Sequence, residues 1–160
     1  MRKTLLTATL MLFALTLIAV AADDAPWFDM KKCEFCNKLA AQPGLVEHMK
    51  TEYHQLHNGT MSVVHIDPEY KAAFGKALAS MAPVVKALQS GQKPYTCPHC
   101  TMLGELYLQG VVPDMVSSGD AVMEIYTSSD STMVKKLQEF GQKSQQGMEA
   151  LVSEMSQPKK

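Results

Sequence analysis

The sequence contains one arginine, Arg2, and none after it. Arginine supplies the planar fork that binds phosphate groups and base edges, and no cluster of lysines replaces it here. We therefore expect neither nucleic acid nor phosphoryl compounds as partners. The chain also lacks a G-x-S-x-G turn, an H-E-x-x-H helix, a glycine-rich phosphate loop and a dinucleotide fingerprint. These absences favour a protein without catalytic activity, although they leave the question of an enzyme open.

Long apolar runs are also scarce, because the only one covers residues 5–20. Arg2 and Lys3 precede this run, and small residues that include Ala21 and Ala22 follow it. This order is typical of a secretory signal peptide, so we predict a signal over residues 1–21, cleaved after Ala21 or Ala22. The protein is then periplasmic or secreted, and it meets the membrane only through the uncleaved signal.

Cleavage leaves a single mature domain, residues 22–160, of about 139 residues. Loss of the two positive charges of Arg2 and Lys3 takes the formal charge from −1 to −3. A chain of this length buries a substantial core without disulfides. The small size of the domain therefore does not explain its four cysteines. The sequence does not identify a protein partner.

The mature chain predicts the same order of elements twice, which suggests two similar halves at about 29–91 and 92–156. Each half contains a helix that carries a CxxC pair, a β-hairpin and a longer amphipathic helix. The predicted hairpin turns are Asn58-Gly59, as a type I′ turn, and Ser118-Gly119. Because one hairpin is only marginally stable, we predict an α+β fold in which both form one four-stranded antiparallel sheet, covered by helices on one face.

The candidate functional residues are the four cysteines. They form two CxxC pairs, Cys33 with Cys36 and Cys97 with Cys100. Four thiolates complete the tetrahedral shell that Zn²⁺ prefers, provided that the fold brings the pairs together. We therefore predict a soft-metal site with a structural or metal-handling role, and we favour zinc over Cu(I), which thiolate and thioether ligands also bind. His54 and His65 share one face of the predicted hairpin and are further candidate ligands.

Two alternatives remain open for the cysteines. In an exported protein, an even number of cysteines also predicts structural disulfides. The tetrapeptide Cys97-Pro98-His99-Cys100 resembles the active site of the DsbA-type periplasmic thiol oxidants of the thioredoxin fold. That resemblance implies a thiol-disulfide oxidoreductase in which Cys97 is the exposed nucleophile, His99 helps to hold its thiolate and Cys100 resolves the mixed disulfide.

Overall fold

A computed structural model describes residues 25–157, so the predicted signal peptide lies outside the described residues. Within 25–157 no helix is both long and apolar enough to cross a membrane. The chain has an α+β fold, as the sequence predicts. Its helices and strands are, in order, α1 Cys36–Ala40, β1 Met49–Leu56, β2 Gly59–Ile66, α2 Lys71–Gln89, α3 Pro98–Leu108, β3 Asp114–Ser118, β4 Ala121–Thr127 and α4 Ser131–Met155.

The four strands form one antiparallel sheet in the order β1-β2-β4-β3. The two hairpins meet through β2 and β4, where Met61 pairs with Ile125 and Val63 pairs with Met123. This arrangement confirms the prediction of a single four-stranded antiparallel sheet. The hairpins pair side by side because each one alone would leave a hydrogen-bonding edge and an apolar face exposed.

The turn of the first hairpin differs from the predicted one. Leu56 pairs with Gly59, so the two turn residues are His57 and Asn58 rather than Asn58 and Gly59. Neither His57, Asn58 nor Gly59 has a positive φ, which excludes the type I′ turn. Gly59 serves a different purpose, because a Cβ atom there would collide with the carbonyl oxygen of Tyr126 in β4.

The first hairpin turns one residue earlier than predicted, and the second hairpin turns one residue later. Ser118 pairs with Ala121, so the turn residues are Gly119 and Asp120. Gly119 has a φ of 58°, and a glycine with positive φ at the first turn position is what a type II′ turn requires. In this hairpin the glycine is needed for its backbone conformation.

The helices pack on one face of the sheet. Successive side chains of a strand point to opposite faces, so Thr60 and Ile66 of β2 lie on the same face. Thr60 lies against Gly141 of α4, and Ile66 belongs to an apolar cluster with Ala77 of α2. The main core lies on this face as well. Its buried members are Leu106, Val111, Tyr126, Leu137 and Phe140.

Helix α4 begins with a side-chain cap. The Asp130 carboxylate accepts a hydrogen bond from the Met133 N–H at 2.8 Å, which satisfies one of the free donors of the first turn. Leu137 and Phe140, which are three residues apart and so lie on one face of the helix, are buried. In this long helix the N-cap residue and the spacing of the apolar residues indicate the same helix, and the structure contains it.

The predicted similarity of the two halves is not shown by this arrangement. Helix α1 has 5 residues and α3 has 11, and the strand pairs have 8 and 8 residues in one hairpin but 5 and 7 in the other. The two long helices have 19 and 25 residues. An internal duplication therefore stays a prediction.

Two helical glycines should respond in opposite directions to the same substitution. A Cβ at Gly141 would collide with the Thr60 side chain, whereas a Cβ at Gly75 has no atom within 4 Å. We expect Gly141→Ala to lower the free energy of unfolding by about 1–3 kcal/mol through overpacking. Gly75→Ala should raise it by about 0.5–1 kcal/mol, because alanine is the better helix former. Urea denaturation followed by circular dichroism measures both, and equal stabilisation by both variants would contradict the described contact between α4 and β2.

Candidate metal centre

The four cysteine sulfurs meet in one tight cluster. All four Sγ atoms lie within 4.8 Å of one another. Cys33 precedes α1 and Cys36 is its first residue, while Cys97 is the N-cap of α3 and Cys100 lies in its first turn. The fold therefore brings the two CxxC pairs together at the amino-terminal ends of two helices. The pairs are close enough to surround one metal ion.

Backbone hydrogen bonds hold the two cysteine loops next to each other. The Cys33 carbonyl accepts from the Asn37 N–H at 2.9 Å, and the Cys97 carbonyl accepts from the Thr101 N–H at 2.9 Å. The Glu34 N–H donates to the Tyr95 carbonyl at 3.0 Å and so joins one loop to the other. The loops therefore have a fixed separation that does not depend on the sulfur atoms.

The distances between sulfurs match the edge of a metal tetrahedron. Cys36 Sγ lies 3.6 Å from Cys97 Sγ and 3.7 Å from Cys100 Sγ. A disulfide joins its sulfurs at about 2.05 Å, so these atoms are not bonded. Four sulfurs at about 2.3 Å from a Zn²⁺ ion lie about 3.8 Å from one another. Two measured edges thus agree with a four-thiolate site around one ion, and the four described cysteines are free.

The cluster is shielded from solvent. Cys33 and Cys97 are fully buried, Cys36 is 5% exposed and Cys100 is partly exposed. Three partly buried apolar side chains pack around the sulfurs: Phe28, Met30 and Phe35. A mostly buried set of four thiols resembles the closed ligand shell of structural zinc sites, whereas catalytic zinc sites keep one open position.

The four thiols shift one another's pKa values. Interaction with Cys100 lowers the pKa of Cys33, and it also lowers the pKa of Cys97 to about 6. The pKa of Cys36 is raised by its hydrogen bond with Cys100, and the pKa of Cys100 is raised mainly by its interaction with Cys33. From these directions we expect two thiolates and two thiols in the metal-free cluster at neutral pH. A dication that displaces both protons leaves the net charge of this buried site unchanged.

The two histidines predicted as further ligands lie on the sheet. His54 of β1 pairs with Met61, and His65 of β2 pairs with Lys50. His54 Nε2 lies 3.5 Å from a carboxylate oxygen of Glu52, away from the cysteines in sequence and in a partly exposed position. Across residues 25–157 the group of ligands that could hold an ion consists of cysteines alone.

His99 lies beside the cluster but does not bond to its thiols. Its Nδ1 lies 3.1 Å from Ser144 Oγ, and its ring stacks between Phe28, at 4.4 Å between centroids, and Phe140, at 5.0 Å. Burial lowers the pKa of His99 to about 4, so the ring is neutral at pH 7. Because Cys97 is buried as well, this geometry differs from the exposed thiolate and its supporting histidine that the resemblance to thiol oxidants implies.

The surroundings of the site are the part that the sequence interpretation missed. Phe28, Met30 and Phe35 lie within a few residues of Cys33, and this local density of large apolar residues could have indicated a shielded site. Ser144 and Trp27 gave no comparable signal, since Ser144 lies in the middle of a long helix and Trp27 near the first described residue. Their positions depend on the tertiary fold.

Comparison of the chain with known protein families, with curated proteins and with solved structures finds no match. No relative therefore suggests a substrate, a partner or a metal. The functional argument depends on the donor atoms of this chain and on their geometry.

Proposed function

We propose that this protein is an exported metalloprotein that binds one Zn²⁺ ion through four cysteine thiolates, with a structural role. The observation that carries the proposal is the separation of the sulfurs. Two of the edges that they form, 3.6 and 3.7 Å, agree with the value of about 3.8 Å expected around zinc. An ion at the centre would join the loop before α1 to the first turn of α3.

The proposed role follows from the position of the ligands in the fold. The three buried cysteines form an apolar cluster that is separate from the main core around Phe140 and from the cluster around Leu45. Helix α1 has only five residues, which is too short to be stable alone. A metal that cross-links α1 to α3 would supply the stability that this part of the molecule lacks in apolar contacts.

The proposed export is consistent with a metal as the partner of these thiols. The sequence predicts a signal peptide, and exported proteins meet an oxidising environment in which free thiols within reach of each other form disulfides. Bound zinc holds thiolates as ligands and makes them unavailable for that reaction. Four cysteines with nonbonded sulfurs therefore fit an exported protein best when a metal occupies their centre.

Cu(I) is the second candidate, and one contact favours it. Met30 packs against the buried cysteines, and its thioether is a soft ligand of the kind that Cu(I) binds. Zinc stays the first choice because four thiolates already complete its preferred shell without a methionine. Met30→Leu distinguishes the two, since it should leave zinc content unchanged and weaken copper binding.

Mass spectrometry of the natively purified protein tests the proposal. Under native conditions we expect one bound metal ion for each chain, which elemental analysis should identify as zinc. After denaturation and alkylation, all four cysteines should carry the label and the metal should be absent. A His54→Ala and His65→Ala double variant is the control and should keep the full metal content. Absence of metal together with absence of free thiols would disprove the proposal and would favour disulfide chemistry.

A further inference from the structure

Three residues from distant parts of the chain form a closed cycle of hydrogen bonds next to the cysteines. The Trp27 Nε1–H donates to Ser144 Oγ at 3.2 Å, and Ser144 Oγ lies 3.1 Å from His99 Nδ1. The His99 backbone N–H then donates to the Trp27 carbonyl at 3.2 Å. The cycle therefore joins the segment before α1, the first turn of α3 and the middle of α4.

The chemistry of the cycle fixes the direction of one of its bonds. Indole N–H groups only donate, so the Ser144 hydroxyl accepts from Trp27, and the direction of its bond with His99 Nδ1 follows the tautomer of His99. Ser144 is fully buried, and neither bond has to compete with bulk water. His99 is thereby held by its ring and by its backbone. Since it is the residue between Pro98 and Cys100, a fixed His99 also limits the motion of Cys97 and Cys100.

Packing around Trp27 supports the same arrangement. A Cβ atom at Gly147 of α4 would lie 2.9 Å from both Cβ and Cγ of Trp27, so this helix position has no space for a side chain. The Lys143 ammonium lies 5.8 Å from the centre of the indole ring, on the same helix. Trp27 thus lies in a fitted site on α4. Phe28, the next residue, contacts both the His99 ring and the cysteine cluster.

We infer that Trp27, Ser144 and His99 are positioning residues for the metal centre, and that docking of the segment around Trp27 on α4 is coupled to metal binding. This inference rests on the proposed function, since it describes how the same site is preorganised. Residues that hold metal ligands from outside the ligand shell commonly change metal affinity 10–100-fold when they are replaced. Because coupling is reciprocal, the bound metal must in turn favour the docked position of Trp27.

The experiment compares the zinc affinity of Ser144→Ala with that of the unchanged protein, by competition with a chromophoric chelator. We expect binding to be about 10–100-fold weaker in the variant. Trp27→Phe, which keeps an aromatic ring but removes the N–H donor, should weaken binding in the same direction. Trp27 is the only tryptophan of the chain, so its fluorescence should change on zinc addition and reach a plateau at one equivalent.

Two control variants separate an effect on the position of the cysteines from an effect on the stability of the whole fold. Ser80→Ala makes the same chemical change in α2, where Ser80 bonds only to the Ala77 carbonyl of its own helix, and it should leave zinc affinity unchanged. Gly141→Ala loosens α4 against Thr60 without removing a bond of the cycle, and it should lower stability but not affinity. If Ser144→Ala and Gly141→Ala weaken zinc equally, the cycle has only a structural role and the inference is wrong. If the unchanged protein binds no zinc, the proposed function fails first.

Discussion

Removal of the metal by a chelator should lower the midpoint of thermal unfolding by about 10–20 °C. A ligand that binds only the folded state stabilises it by about 4 kcal/mol when its free concentration is 1,000 times Kd. In a domain of this size each kcal/mol shifts the midpoint by several degrees. The effect should be large here because three of the four proposed ligands are buried and would lose the ion that cross-links them. Differential scanning calorimetry with and without chelator measures the shift.

Cys36→Ser tests whether the shift in the unfolding midpoint comes from metal bound by the cysteine cluster. Cys36 Sγ forms the two short sulfur contacts, to Cys97 and to Cys100, so its loss removes one of the four vertices of the tetrahedron. The variant should have nearly the same low midpoint with and without chelator, because little metal remains to be removed. His54→Ala should keep the full response to chelator, since His54 lies in the sheet. A Cys36→Ser protein that still responded fully would show that the metal binds elsewhere.

The α+β class and the single antiparallel sheet could be predicted because they follow from periodicity and local turn residues. The residue at which each chain reversal occurs could not be predicted in the same way. Asn58-Gly59 is a strong local signal for a type I′ turn. Gly59 is instead placed where β4 passes too close for any side chain, and the turn moves to His57-Asn58. The contact with Tyr126 is nonlocal, so no short segment of sequence contains it.

The cluster of cysteines could be predicted better than its surroundings. The two-residue spacing within each CxxC pair is a local signal, and the four cysteines that it indicates do form one tight cluster that could hold a metal ion. Their convergence depends on the hairpin and on α2, which separate Cys36 from Cys97 along the chain. For His99 the sequence context was misleading. The motif suggests a partner for the Cys97 thiolate, but Ser144 from α4 occupies Nδ1.

Zinc affinity should fall steeply with decreasing pH, by about 100-fold for each pH unit between about 7 and 8. Only thiolates bind the metal, so each thiol that is protonated in the free cluster must release a proton. The raised pKa values of Cys36 and Cys100 keep two thiols protonated over this range, while Cys33 and Cys97 are already ionised. Two protons released for each ion make the logarithm of the dissociation constant change by about two per pH unit.

Calorimetric titration with zinc in two buffers of different ionisation enthalpy counts these protons directly. We expect about two for each zinc at pH 7.5, rising towards three when the pH falls through about 6, where Cys97 also becomes protonated. The sign follows from the lowered pKa of Cys97, whose thiolate is present above that pH and lost below it. Release of four protons at pH 7.5 would mean that the free cysteines behave as independent thiols with ordinary pKa values near 8.5. That result would contradict the opposite pKa shifts of the four cysteines. A count of two would support a site whose net charge is the same before and after the dication binds.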